Sequence, residues 1–174
     1  TREIALDVER LEKITERFSK IGAKPTLNNE NITVIISRTI DYLKTRTSSK
    51  IRFITDFNES KIALVPVNTA LFEWVIENIS KNAIDAMEGS GEINFRISET
   101  ERNVLLDISD TGKGIPKRAF KKIFNPGYTT KQRGWGLGLS LAKRIIEEFH
   151  NGHIYVRNSE IGKGSCIRII MPKN

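Results

Sequence analysis

Glu77-Asn78-Ile79-Ser80-Lys81-Asn82-Ala83-Ile84-Asp85-Ala86-Met87 stands near the middle of a 174-residue chain, and its reading decides the fold. Leu71, Val75, Ile79 and Met87 recur at helical spacing, Asn68 offers an N-cap, and Gly89 and Gly91 end the run. One long helix from Asn68 through Met87 is predicted. Within it Asn78 and Asn82 lie four apart and share a face. Asn is a poor helix former, so two in mid-helix cost stability without capping anything. Their carboxamide oxygens are hard ligands suited to Mg²⁺. The alternative is a pair of buried hydrogen-bonding groups.

Outward from this helix the pattern alternates between periods. Upstream, 32–43 reads as a helix, 51–57 and 62–65 as strands, and Asn28, Asn29 and Asn31 as turn and cap chemistry. Downstream, 92–98 and 104–109 read as strands. A long Gly-rich segment over 111–134 follows, with one helical turn near 118–123. A helix over 137–149 then leads to strands at 153–157 and 165–171, joined by the turn Ile161-Gly162-Lys163-Gly164. This order predicts an α/β (α+β) two-layer sandwich: a mixed, mainly antiparallel sheet of about five strands on about three helices, with a long lid. At the start of the chain Ile4, Val8, Leu11, Ile14, Phe18 and Ile21 form a narrow stripe of the kind found in a helical-bundle seam. Residues 1–24 are therefore expected to belong to one unit and 25–174 to another.

Composition excludes several functions. The single Cys166 rules out an internal disulfide and a multi-cysteine metal site. His150 and His153 end a helix and begin a strand, settings that suit structural roles. No apolar run reaches the roughly 20 residues of a membrane span. The net charge of +7 suggests a nucleic-acid binder until it is located. Between Thr111 and Arg144 stand nine basic residues and no acidic one, leaving 19 basic against 21 acidic residues elsewhere. One segment supplies the whole surplus, and it is the Gly-rich one.

That segment fails the common phosphate motifs. No Gly precedes Lys113 or Lys163 at P-loop spacing, and Gly134-Trp135-Gly136-Leu137-Gly138-Leu139 lacks the third glycine position of the dinucleotide fingerprint. What it does hold is Asp110-Thr111-Gly112-Lys113-Gly114-Ile115-Pro116 after a strand. A carboxylate there can accept from an exocyclic amine while the glycines admit a flat base; the plain alternative is an Asx turn. Gly134 to Gly138 opens a helix whose free N–H groups suit an anion, and Lys131, Arg133 and Lys143 stand ready to neutralise a polyphosphate.

Taken in order, these elements resemble the ATP-binding catalytic domain of bacterial sensor histidine kinases, within the GHKL (Bergerat-fold) ATPase superfamily. Glu77 to Met87 is similar to the N box and Asp110 to Pro116 to the G1 box. Ile123-Phe124-Asn125-Pro126-Gly127-Tyr128-Thr129-Thr130-Lys131 is similar to the F box, Gly134 to Leu139 to the G2 box, and Gly162-Lys163-Gly164-Ser165 to the G3 box. The resemblance implies ATP and Mg²⁺ as ligands. It gives Asp110 the adenine amine, Asn82 the metal with Asn78 assisting, and Gly112 and Gly114 the base pocket. Gly134, Gly136 and Gly138 present the lid and helix start to the phosphates, with Lys131 or Arg133 on the γ-phosphate. Phe124 and Tyr128 anchor the lid. Lys81, Asp85, Ile115, Thr129, Thr130, Leu137, Leu139 and Ser165 complete the nucleotide-binding set. Trp135 is larger than the residue usual inside the G2 box, which leaves its contact with the nucleotide open.

Two departures bear on mechanism. ATP-hydrolysing relatives carry Glu four residues before the metal-binding Asn, where this chain has Asn78; Glu77 lies about 100° round the helix. The resemblance then implies phosphoryl transfer to a protein histidine rather than to water. Neither histidine here has a phosphoacceptor setting, so the acceptor is expected upstream, on a dimerisation domain whose last helix the 4–21 stripe resembles. The implied partners are that domain, a second copy in a homodimer, and the receiver domain of a response regulator, with no nucleic acid. The implied location is cytoplasmic, with room for an inner-membrane anchor elsewhere in a longer protein.

Overall fold

Two asparagines start the two long helices. The Asn31 side chain accepts from the Thr33 N–H at 3.2 Å and the Ala63 N–H at 3.0 Å. Asn68 accepts from the Leu71 N–H at 3.1 Å, which satisfies a helix-start donor with no partner of its own in the helix. The computed structural model describes residues 25–57, 62–130 and 136–173. The helix expected over 4–21, and the separate unit assigned to 1–24, lie outside the described residues.

In chain order come β1 (Asn28–Asn31), α1 (Ile32–Lys44), β2 (Ile51–Asp56), β3 (Leu64–Val67), α2 (Thr69–Ala86), β4 (Gly91–Glu99) and β5 (Asn103–Asp110). Two 3-10 turns follow, Lys117–Ala119 and Lys122–Phe124. Then come α3 (Gly138–Arg144), continued by a π-turn over Ile145–Phe149, β6 (His153–Glu160) and β7 (Gly164–Pro172). The main sheet has the order β2-β4-β5-β7-β6, parallel only between β2 and β4. The expected sandwich of five strands and three helices is the one observed.

Alternation along the strands fixes which sheet face meets the helices. Ile93, Phe95 and Ile97 of β4, Val104, Leu106 and Ile108 of β5, and Ile169 and Met171 of β7 are buried on that face. They pack against Phe72, Val75, Ile76 and Ile79 of α2 and Ile32, Ile36 and Ile40 of α1 in one apolar cluster. On the opposite face Asp107 is almost fully buried beneath arginines. Arg168 grips it bidentately at 2.6 and 2.7 Å, and Arg157 adds a contact of 2.6 Å.

Four expectations need correction. Asn28–Asn31 is a strand rather than a turn, and the strand read at 62–65 is Leu64–Val67, with Pro66 inside it and Ile62 exposed. The two form a separate antiparallel ladder in which Asn29 stands opposite Pro66. A two-stranded ladder needs donors on one side of each strand only, so a proline is tolerated there. The helical turn expected near 118–123 is split into the two 3-10 turns, and the 137–149 helix widens into a π-turn at its end.

Candidate nucleotide site

Asp110 ends β5 and is held from two sides. Its Oδ1 accepts the Gly112 N–H at 2.8 Å and its Oδ2 accepts the Ser165 hydroxyl at 2.6 Å. Ser165 lies directly opposite Asp110 in the β5–β7 register. The carboxylate is thus both an Asx-turn acceptor and fixed in direction, so the two readings open at the sequence level are compatible. Gly112 is required for packing: a Cβ there would come within 2.8 Å of the Ala86 backbone on α2. The next residue, Lys113, donates its N–H to Ala86 O at 3.0 Å, fastening the loop to that helix. Gly114, at φ +77°, sits against Glu160 O, where any side chain would collide.

The far end of the loop is fastened to the β6–β7 hairpin. The Ile115 N–H donates to Ser159 Oγ at 2.7 Å, and the Gly162 N–H donates to Lys113 O at 2.9 Å. Ser159 carries no motif, and nothing in the sequence marks it; its place emerges only from strand pairing.

On α2, Asn78 and Asn82 are half-buried one turn apart, and Asn78 meets the start of α3. Asn78 Nδ2 donates to Trp74 O at 2.8 Å, which fixes the amide and leaves Oδ1 toward the start of α3. A Cβ on Gly138 would lie 2.9 Å from that oxygen, so Gly138 is what lets the helix start approach it. Lys81 is not brought to this face. It pairs with Glu77 and, with Asp85, lines a 260 Å³ cavity between α1 and α2 that also involves Tyr42 and Arg46. The cause is helical geometry, since Lys81 lies about 100° round from Asn82.

Phe124 is buried, Tyr128 is half-buried against the core, and Thr129 and Thr130 are exposed. The Gly127 N–H donates to Gly136 O at 3.1 Å, and Gly136, at φ +63°, leaves no room for a Cβ against Gly127 and Tyr128. Leu137 caps α3 and accepts the Ser140 hydroxyl at 2.9 Å, while Leu139 packs on the core. Lys131, Arg133, Gly134 and Trp135 lie outside the described residues. Lys143 lies 3.9 Å from Glu147 and over the Phe124 ring. Arg144 pairs with Glu148 at 3.0 Å.

His150 is buried, its Nε2 accepting the Asn68 N–H at 3.0 Å and its Nδ1 lying 2.8 Å from Ile145 O. Burial holds its pKa below the usual 6.5. His153 pairs with Glu147 at the head of β6.

The site is thus a glycine loop anchored on a fixed carboxylate, beside a helix that carries two amides. The profile of the family described as histidine kinase-, DNA gyrase B-, and HSP90-like ATPase matches residues 68–174. The chain is 34% identical to sporulation kinase E of Bacillus subtilis over 97% of its own length and 23% of that protein. It is 30% identical to the sensor histidine kinase ZraS of Escherichia coli over 98% of its length and 37% of that protein. The chain thus spans well under half of these curated relatives. The solved catalytic domain of histidine kinase ThkA superposes with a TM-score of 0.77 at 27% identity, covering 86% of this chain and 97% of that one. A structure of ThkA in complex with the response regulator protein TrrA matches at 0.78 and 25%, over 98% of this chain and 49% of that one. On the profile match and these likenesses together, the chain belongs to the histidine kinase-, DNA gyrase B- and HSP90-like ATPase family, and its fold is that of a histidine kinase catalytic domain.

Proposed function

We propose that the chain is the catalytic domain of a two-component sensor histidine kinase, binding ATP with Mg²⁺ and passing the γ-phosphoryl to a histidine on a dimerisation domain. The observation that carries this reading is the Asp110 carboxylate, oriented by Gly112 and Ser165 at the mouth of a glycine loop that rests on α2. Such an acceptor selects an exocyclic amine over a carbonyl.

The residues suit the metal. Asn78 Oδ1 is an oriented neutral oxygen, and Asn82 repeats the donor type one turn on. Among the described residues no cluster of three or more His, Cys, Asp or Glu competes for a cation. Asn82, with Asn78, would hold Mg²⁺, whose remaining ligands come from phosphate and water. When bound, it neutralises phosphate charge. The protein's own part is positioning: Asp110 orients the base, the loop excludes water from it, and the start of α3 faces the phosphate end.

Transfer rather than hydrolysis is supported by Glu77. It is engaged with Lys81 on the far flank of α2, and Asn78, which cannot act as a base, occupies the near one. The acceptor histidine, the homodimer contact and the domain containing 1–24 belong to the proposed longer protein. So does a response regulator as the next carrier, supported by the ThkA relative solved with one. No helix among the described residues is long and apolar enough to cross a membrane, in keeping with a catalytic domain that works on the cytoplasmic side.

The test uses γ-labelled ATP and the protein carrying both this chain and its dimerisation domain. Label that is acid-labile and base-stable is expected, as for phosphohistidine; acid-stable label would contradict the reading.

A further inference from the structure

Ser159 reaches the base loop because β6 contains one extra residue. Ile154 and Val156 are buried on the helix side of the sheet, opposite Ile169 and Ile167. Plain alternation would send residue 158 to that side and residue 159 to the other. The register instead shifts between Val156 and Asn158: Val156 pairs with Ile167, Asn158 with Cys166, and Arg157 is the surplus. Ser159 therefore stands opposite Ser165, which stands opposite Asp110. Three polar residues form one row across β6, β7 and β5 on the helix-facing side.

The hydroxyl of Ser159 closes this row. It accepts the Ile115 N–H at 2.7 Å and donates to Gly164 O at 2.8 Å. It thus ties the end of the base loop to the residue before Ser165, whose own hydroxyl holds Asp110. From the opposite face the bulge is pinned by Arg157, which donates to the buried Asp107. Bulges beside functional sites commonly re-aim a side chain in this way.

We infer that Ser159 is a positioning residue for adenine recognition, turned toward the Asp110 loop by the bulge at Arg157. The inference rests on the nucleotide reading proposed above. Ser159 acts through Ile115 and Gly164 and makes no contact with the base. Its loss frees the loop end and loosens the carboxylate. A hydrogen bond to an amine depends steeply on that geometry, whereas phosphate and stacking contacts do not.

The test is calorimetric titration of the chain with ATP and with ITP, whose base has a carbonyl in place of the amine, both with Mg²⁺. The wild type is expected to prefer ATP. Ser159→Ala is expected to weaken ATP about five- to tenfold while changing ITP by less than about twofold, and Ser159→Thr to restore the preference. Asn158→Ala, facing the other way, is expected to change neither. Melting without nucleotide accompanies each variant, and Ser159→Cys replaces the Ala variant if that one does not fold. Unaltered ATP affinity in Ser159→Ala, an equal loss for ATP and ITP, or an equal effect of Asn158→Ala would overturn the inference alone. A wild-type chain that binds neither nucleotide would overturn the proposed function beneath it.

Discussion

At the scale of single residues, the site depends on close approaches that leave no slack. Gly112 lies against backbone atoms of Ala86, which cannot step aside as a side-chain end can. Gly112→Ala is expected to lift the loop off α2, costing about 1–3 kcal/mol of stability and lowering ATP affinity. Urea unfolding and nucleotide titration measure the two effects. Ser80 gives the opposite prediction. It is fully buried on α2, and its Oγ has no hydrogen-bond partner among the described residues. Ser80→Ala removes an unsatisfied hydroxyl and improves helix propensity, so a gain of about 1 kcal/mol in unfolding free energy is expected. A lower melting temperature would show that the hydroxyl has a use.

At the scale of elements, His150 joins the start of α2 to the π-turn after α3. The Asn68 N–H can only donate, so Nε2 must be the bare nitrogen and Nδ1 carries the proton to Ile145 O. Protonation would set two donors against each other, and burial also opposes it. The unfolded chain, titrating near 6.5, then binds the proton more readily than the folded one. The stabilisation is complete above that pH and is lost as the pH falls through the lowered folded-state value. Wild-type stability should drop below pH 6.5 with an extra slope approaching about 1.4 kcal/mol per pH unit, and His150→Gln should lack that slope. Chemical denaturation from pH 7.5 to 5 in both proteins checks it.

The same scale shows what the sequence could carry. Asn31 and Asn68 were legible as caps, and the stripes of α1 and α2 as helices, because those signals are local. Asn28–Asn31 was not legible as a strand, since four polar residues have no alternation and only β3 gives them a partner. Asp110 and Gly112 were marked by the resemblance of the ordered motifs, since their spacing alone also fits a plain Asx turn. Ser159 was not, because a bulge is a property of two strands and Arg157 becomes surplus only against β7. Lys81 entered the nucleotide-binding set through the motif resemblance, and the helix turns its side chain about 100° from Asn82, toward the cavity between α1 and α2.

At the scale of the whole molecule, the basic surplus divides. Lys143 and Arg144 are matched by glutamates one turn on. Lys117 and Arg118 on the first 3-10 turn, Lys121 between the two turns and Lys122 on the second are exposed, with no ion pair among the described residues. Charges of this kind act through the field rather than by contact. Replacing Lys117 and Lys121 with Gln is expected to lower ATP affinity less than about threefold, and only at low ionic strength, where screening is weak. Titrations at two salt concentrations decide it.

The central claim, that the Asp110 loop against α2 is an adenine-nucleotide site, is tested most directly by the affinity of the chain for ATP with Mg²⁺ before and after Asp110→Asn. The side chain keeps its size, but one of its two acceptor oxygens becomes a donor, facing either the Gly112 N–H, the Ser165 hydroxyl or the base amine. A loss of at least about tenfold is predicted, with the chain still folded. An affinity equal to that of the wild type would contradict the account.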